Sequence, residues 1–267
     1  MLETSNATRQ ATIKAGRRMR LPRSRRFIDD FLSFSIRVPS QSLARQCNLA
    51  PLVEARANAT VRISWPVLFM KAFSLVADKH PGLRRVYMRW PWPHLYEHPH
   101  SIGRIAIARE FEGEDWLFFS RIIRPEEMSL TDMAQELTDA RHTPVRDIPA
   151  FLFRTRFVRL PTTLRRMIWW LALNLSGTAR ASLAGTVGLS TVSNLGALSI
   201  HPPSVGNIVI TYGPIAENGD VRISMVYDHR VLDGGPVAQY LGDLEETLNG
   251  QIRDELLAIR AAGNRAA

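Results

Sequence analysis

The clearest alternation of apolar and polar positions lies near the C-terminal end of the chain. Over Val221–Asp228, Val221, Ile223, Met225 and Tyr227 share one face, and Arg222, Ser224 and Asp228 share the other. That period of two predicts a half-buried strand. One further step places His229 at the strand's end on the apolar side. Beyond Gly234-Gly235-Pro236 the period changes, and Val237, Tyr240, Leu241, Leu244 and Leu248 recur at helical spacing. Asp233 stands where that helix begins, a place that favours Asp as a cap.

Upstream, Ser64 to Lys79 predicts a helix stopped by Pro81-Gly82. Asn48 to Arg56 predicts a short helix, with Asn48 and Pro51 near its start. Phe27 to Val38 reads as extended up to Pro39, and the Trp-, Pro- and His-rich stretch 87–101 reads as a loop. Ile102 to Ala108 and Trp116 to Ile123 predict a hairpin around Glu110–Asp115. Ser129 to Arg141 predicts a helix with Ser129 as its cap and an apolar face of Leu130, Met133, Ala134 and Leu137. Pro149 to Leu160 fits neither period. Gly185 to Ser193 and Asn207 to Tyr212 predict strands, and Arg253 to Ala267 a polar helix and tail.

Leu164 to Leu175 is unusual because Met167–Leu173 is apolar all round, with Arg165 and Arg166 before it and Arg180 after. It is far shorter than the ~20 residues that span a bilayer. Such a helix is expected to be buried, within a subunit or at a subunit contact. Docking of the Trp169-Trp170 helix on a membrane surface, with the arginines at the headgroups, is the alternative.

Charge divides the chain. The net charge is +9 over 267 residues, and residues 1–26 hold eight basic residues and one acid, leaving the remainder at only +2. Without apolar periodicity, 1–26 reads as a disordered basic arm. Its plain role is a solvated tail, with contact to a membrane surface or other anionic partner as the alternative, and no specific nucleic acid is expected. No apolar stretch follows the arginines, so a secretory signal is not expected, and an Arg-rich transit peptide is the minor alternative. The single cysteine, Cys47, allows no intrachain disulfide. A reducing, cytoplasmic setting follows, with Cys47 an ordinary residue rather than a nucleophile. His94, His98 and His100 invite a metal reading, but the prolines around them and the lack of a completing cluster argue for none.

Asp228-His229-Arg230-Val231-Leu232-Asp233-Gly234 resembles the Asp-His-Arg-x-x-Asp-Gly signature of the acyltransferase component of 2-oxo-acid dehydrogenase complexes. Chloramphenicol acetyltransferase shares that family's fold and a related histidine motif. Thr191-Val192-Ser193-Asn194-Leu195-Gly196 resembles the family's second motif, and Pro66–Leu83 its first long helix. The resemblance covers roughly residues 40–250 and is thin between 140 and 180.

The resemblance implies an α/β fold of the chloramphenicol-acetyltransferase type, a mixed sheet with helices packed against it. It would occupy residues 27–250, between the arm and a C-terminal helix and tail at 251–267. It implies a homotrimer, or a larger assembly of trimers, with His229 of one subunit facing Ser193 of the next. The expected reaction moves an acyl group between a coenzyme A thioester, as co-substrate, and a thiol acceptor such as dihydrolipoamide. His229 would be the general base, Ser193 the oxyanion donor and Asp233 a residue that orders the site. The lipoyl and subunit-binding domains of large-complex relatives are not expected in this chain. With Lys14, Lys71 and Lys79 as the only lysines, no lipoyl group is expected in cis. Two other readings fit the same residues: a coenzyme A-dependent small-molecule O-acetyltransferase, with a hydroxyl acceptor, and a non-catalytic trimeric scaffold.

Overall fold

The computed structural model describes residues 16–59 and 61–266. Residues 1–15 of the expected arm lie outside that range. The chain runs α1 (Arg23–Ser35), β1 (Ser40–Asn48), α2 (Ala50–Ala57), α3 (Trp65–Lys79), β2 (Arg85–Met88), β3 (His94–Glu97), β4 (Ile102–Phe111), β5 (Glu114–Phe119) and β6 (Ile122–Ile123). There follow α4 (Leu130–His142), α5 (Pro149–Phe157), α6 (Thr162–Asn174), α7 (Gly177–Ala184), β7 (Val187–Leu189), β8 (Ile208–Tyr212), β9 (Asp220–Asp228), α8 (Gly234–Thr247) and α9 (Arg253–Ala266). A wider π-type turn at Leu248–Ile252 joins the last two helices.

The main sheet has the order β1-β9-β8-β7-β4-β5, with β6 pairing to β4. Its β4-β7 and β7-β8 pairs are parallel and its other pairs antiparallel, so the sheet is mixed, as expected. On the front face, Ile105, Leu189, Ile210 and Met225 join the core that α3 and α8 cover. The alternation over Val221–Tyr227 is what places β9 on that core. Helix α3 is buried nearly all round, because α4 packs beside it as well as α8. Its Lys71 is buried too, and its ammonium donates to the carbonyls of Glu126, at 3.0 Å, and Met128.

The back of the sheet carries a second layer, which corrects the expected arm and the extended reading of 27–38. Residues Arg23–Ser35 form α1, and its Phe27, Phe31 and Phe34 rings surround Trp169 at centroid distances of 5.3, 6.3 and 6.0 Å. These spacings of four and three lay one helix face on a large aromatic anchor. The arm therefore ends by Pro22 at the latest. Glu114 marks the beginning of the helix, accepting from the main-chain N–H groups of Arg23 and Ser24 at 3.2 and 2.7 Å. Asp30, fully buried, receives Nε of Arg165 at 2.6 Å and Nη2 at 3.2 Å, tying α1 to α6.

The Trp169-Trp170 helix is thus two-sided. Trp169 and Leu173 are buried, while Met167, Leu171 and Leu175 stay exposed. Among the described residues no helix is long and apolar enough to cross a membrane. Stretch 87–101 is not a plain loop but contains part of the β2–β3 hairpin, in which Met88 pairs with His94. Pro91 and Pro93 fall in the connection, where they cost the ladder no donor. The strand expected over 185–193 shortens to β7, and Ser193–Leu195 is a single 3-10 turn. Ser129 caps α4 as expected, its hydroxyl accepting from the Asp132 N–H at 3.1 Å.

Two tests follow from this packing. Asp30→Ala leaves the Arg165 guanidinium buried without its carboxylate, and urea unfolding should show a loss of about 3–5 kcal/mol. Replacing both partners by apolar residues (Asp30→Leu with Arg165→Met) should recover most of it. A loss under about 1 kcal/mol in the single variant would mean that the pair does not hold α1. Cys47 is buried, and burial, then Glu245, pushes its thiol up to about 12. Little thiolate forms at pH 8, so a thiol reagent should label native protein far more slowly than protein in denaturant. Rapid stoichiometric labelling of the native state would contradict this burial.

Candidate active site

His229 leaves β9 with its main chain held. Its N–H donates to the Pro39 carbonyl at 3.1 Å, which carries the β1–β9 pairing one residue beyond Asp228. The chain then turns, and the Leu232 carbonyl comes back to lie 3.0 Å from Nδ1 of the imidazole. A carbonyl can only accept, so Nδ1 carries a hydrogen, and the neutral ring presents its lone pair at Nε2. The side chain is 41% exposed, which leaves Nε2 reachable. Tyr227 packs edge-on to the ring at 6.0 Å.

Asp233 Oδ1 lies 3.4 Å from the same Nδ1, with its side chain 83% exposed. It occupies the position before α8, yet its carboxylate makes no capping bond. The structure therefore points Asp233 at the histidine rather than at the helix. At that exposure its pull on an imidazolium is modest and screened by solvent.

Behind His229 sits a charge cluster that the sequence did not reveal. Asp228, with its side chain 1% exposed, accepts from Arg230 Nε at 2.9 and 3.2 Å, from Nη2 at 2.6 Å and from the Arg230 main-chain N–H at 3.0 Å. The Arg230 guanidinium lies on the Tyr87 ring at 4.2 Å. Arg180 of α7, also buried, donates to the carbonyls of Leu173 at 2.8 Å, Tyr87 at 3.3 Å and Val205. Burial lowers Arg180 to about 10, against the pull of Asp228. Gly206 makes room for it, since its φ is +99° and a Cβ there would stand 2.3 Å from Arg180 Nη2. The cluster joins β2, α7 and the end of β9. No spacing in the sequence relates Arg180 to Asp228, because only the fold brings them near.

Ser193 lies elsewhere. Its N–H donates to Thr191 Oγ1 at 3.1 Å, and that hydroxyl donates to the Tyr212 carbonyl at 3.1 Å. The Tyr212 ring stacks on Phe69 at 4.0 Å, and burial raises its phenol, with the Thr191 and Ser193 side chains acting the other way. Register shows how far Ser193 is from His229. Leu189 pairs with Ile210, and Tyr212 with Ile223, so Ser193 is at the Ile223 end of β9. His229 is six residues further along, about 20 Å at the rise of a strand. Within one chain the two do not meet.

Of the other candidates, His94 bonds to the Trp92 carbonyl at 2.7 Å, while His98 is buried and lowered to about 4, chiefly by burial. Among the described residues no three His, Cys, Asp or Glu side chains are grouped to hold a metal ion.

No protein-family model matches the sequence, and no curated protein matches it either. Solved structures do match the fold. A probable dihydrolipoamide acetyltransferase from Listeria monocytogenes superposes with a TM-score of 0.64 at 16% identity, over 87% of this chain and 94% of that one. The dihydrolipoamide acetyltransferase of Azotobacter vinelandii gives 0.62 at 16% identity, over 96% and 98%. In that protein a serine, a histidine and an asparagine four positions after the histidine were investigated for roles in catalysis. A chloramphenicol acetyltransferase gives 0.50 at 14% identity, over 82% and 94%. The chain thus has the chloramphenicol-acetyltransferase-like fold, in a form similar to that of dihydrolipoamide acetyltransferases.

Proposed function

We propose that the protein is an acyltransferase that moves an acyl group between a coenzyme A thioester and a thiol acceptor of the dihydrolipoamide type. The observation that carries this reading is the bond from His229 Nδ1–H to the Leu232 carbonyl, which in the neutral ring leaves the lone pair on Nε2 of a part-exposed side chain. A base held in one tautomer by a backbone acceptor is suited to take a proton from a thiol.

In the proposed reaction Nε2 removes the acceptor's thiol proton. The thiolate attacks the thioester carbonyl, and the carbonyl electron pair moves onto oxygen. The Ser193 hydroxyl donates to that oxyanion. Collapse expels the coenzyme A thiolate, which takes the proton back from the imidazolium. Asp233, 3.4 Å from Nδ1, favours the imidazolium while it lasts. No acyl-enzyme forms.

Because Ser193 lies level with Ile223 and His229 follows the far end of β9, the proposed site takes its serine from one copy and its histidine from a neighbour. Repeated head to tail with a rotation that closes, such a contact gives a ring such as a trimer. The fold's similarity to dihydrolipoamide acetyltransferases supports the thiol acceptor over a hydroxyl one.

Turnover is to be measured with acyl-coenzyme A and a panel of thiol and hydroxyl acceptors. His229→Ala should lower it by roughly 10²–10⁴-fold. Ser193→Ala should lower it by roughly 10²–10³-fold. Refolding the two variants together in equal amounts should restore about a quarter of the sites, since a site works only where an intact histidine meets an intact serine from the neighbouring copy. A mixture no more active than the mean of the two variants, with subunit exchange demonstrated, would eliminate the shared site. Unchanged turnover in His229→Ala would eliminate the base.

A further inference from the structure

The back of the sheet holds a second place where chemistry is concentrated, away from His229. A cavity of about 420 Å³ opens between α1 and strands β4, β5, β7 and β8. Another of about 440 Å³ lies beside it against α5 and α6. The two share a wall of Phe27, Arg104, Phe119, Arg154, Trp169 and Leu183. Their size is that of small-molecule sites, roughly 300–1,000 Å³. Most of the surrounding surface is aliphatic or aromatic, as at Ile28, Phe31 and Val209.

Two cations are set into that wall. Arg154 is 8% exposed, and among the described residues its side chain makes one hydrogen bond, from Nη1 to the Leu117 carbonyl. Its guanidinium carbon lies 3.4 Å from the Phe27 ring centroid and 4.7 Å from that of Phe119. Arg104 donates from Nη2 to the Ser182 carbonyl, while its buried Nε has no partner among the described residues. Among the described residues neither arginine forms an ion pair with a carboxylate. Asp115, exposed at the rim of the first cavity, pairs with neither. Burial lowers Arg154 to about 9, helped by the charge of Arg104, and lowers Arg104 to about 10, helped by Arg121.

Arg165, in the same layer, shows the contrast, because its guanidinium is met by Asp30. A buried guanidinium without a counter-charge is costly, on the order of several kcal/mol. Arg154 bears that cost beside open space, and half-buried Arg104 bears part of it. The rings packed on Arg154 leave hydrogen bonding to its edge, and a guanidinium edge matches the planar, two-oxygen geometry of a carboxylate.

We propose that these adjoining cavities bind a single-chain amphiphile with a carboxylate head. The carboxylate sits at Arg104 and Arg154, and the apolar chain runs along the aromatic wall. Nothing in this depends on the acyl-transfer reading, and the test measures binding rather than turnover.

The experiment is calorimetric titration of the full-length protein with octanoate, 1-octanol and octyltrimethylammonium. Octanoate should bind at least roughly tenfold more tightly than 1-octanol, the margin of one charge-assisted hydrogen bond. The ammonium should not bind. Arg104→Gln and Arg154→Gln should each weaken octanoate by a similar factor and leave 1-octanol unchanged. Arg104 is the less buried of the two, so its variant serves if Arg154→Gln fails to fold. The proposal is overturned if 1-octanol matches octanoate on the wild type, if octanoate gives no binding, or if Arg104→Gln binds octanoate as the wild type does.

Discussion

From Ile223 to Asp228 the strand β9 is sealed on both faces, and the arrangement of the site depends on that. Val221, Ile223, Met225 and Tyr227 enter the main core, while Ser224, Val226 and Asp228 are buried behind. The rear polar groups are all accounted for. Ser224 Oγ meets Ser42 Oγ at 2.8 Å and the Ile200 carbonyl at 3.1 Å, and Asp228 takes Arg230. A slip of one residue would send each of these groups into the opposite environment, so the register is over-determined. The exit of His229, the return of the Leu232 carbonyl and the start of α8 then follow from where the strand stops.

What was legible in the sequence was what a single period could carry. The alternation of β9, the helical run of α3 and the capped face of α4 each declare themselves within a few residues. Helix α1 was missed although Phe27, Phe31 and Phe34 have helical spacing, because arginines at 23, 25 and 26 merged its first turn with the basic arm. Its partner, Trp169, lies more than a hundred residues away. Helix α7 has no strong apolar face, and it is placed by the Ser176 cap and by the burial of Arg180. In the site, His229, Ser193 and Asp233 were visible through their motifs. The tautomer of His229 and its separation from Ser193 were not, since both are consequences of pairing and turn geometry.

Charge was the least legible property of all. A body near neutrality suggests solvated ion pairs, yet Arg84, Arg154, Arg165 and Arg180 are each less than a tenth exposed. Among the described residues, only Arg165 of these four forms an ion pair with a buried carboxylate. The guanidinium of Arg180 instead spreads its donors over backbone carbonyls, which its fixed fork allows. Composition counts such residues as surface charge, and only coordinates show that they join elements from the inside.

The wide turn between α8 and α9 resolves a mismatch written in the chain. Leu244, Leu248, Ile252 and Leu256 are all fully buried, and each lies four residues after the last. An α-helix advances about 100° per residue, so each step of four overshoots a full revolution by about 40°. Three such steps would carry Leu256 about a third of the way round, out of the core. The π-type turn at Leu248–Ile252 fits more residues into its revolution and absorbs that drift. It works as a gear change within one rod, letting α8 pack on β1 and α3 while α9 packs on α2. The rod is consequently intolerant of counting errors. Losing one residue at this turn would rotate all of α9 by about 100° against α8 and turn its sealed face towards water, whereas a surface loop would take up the same loss unnoticed.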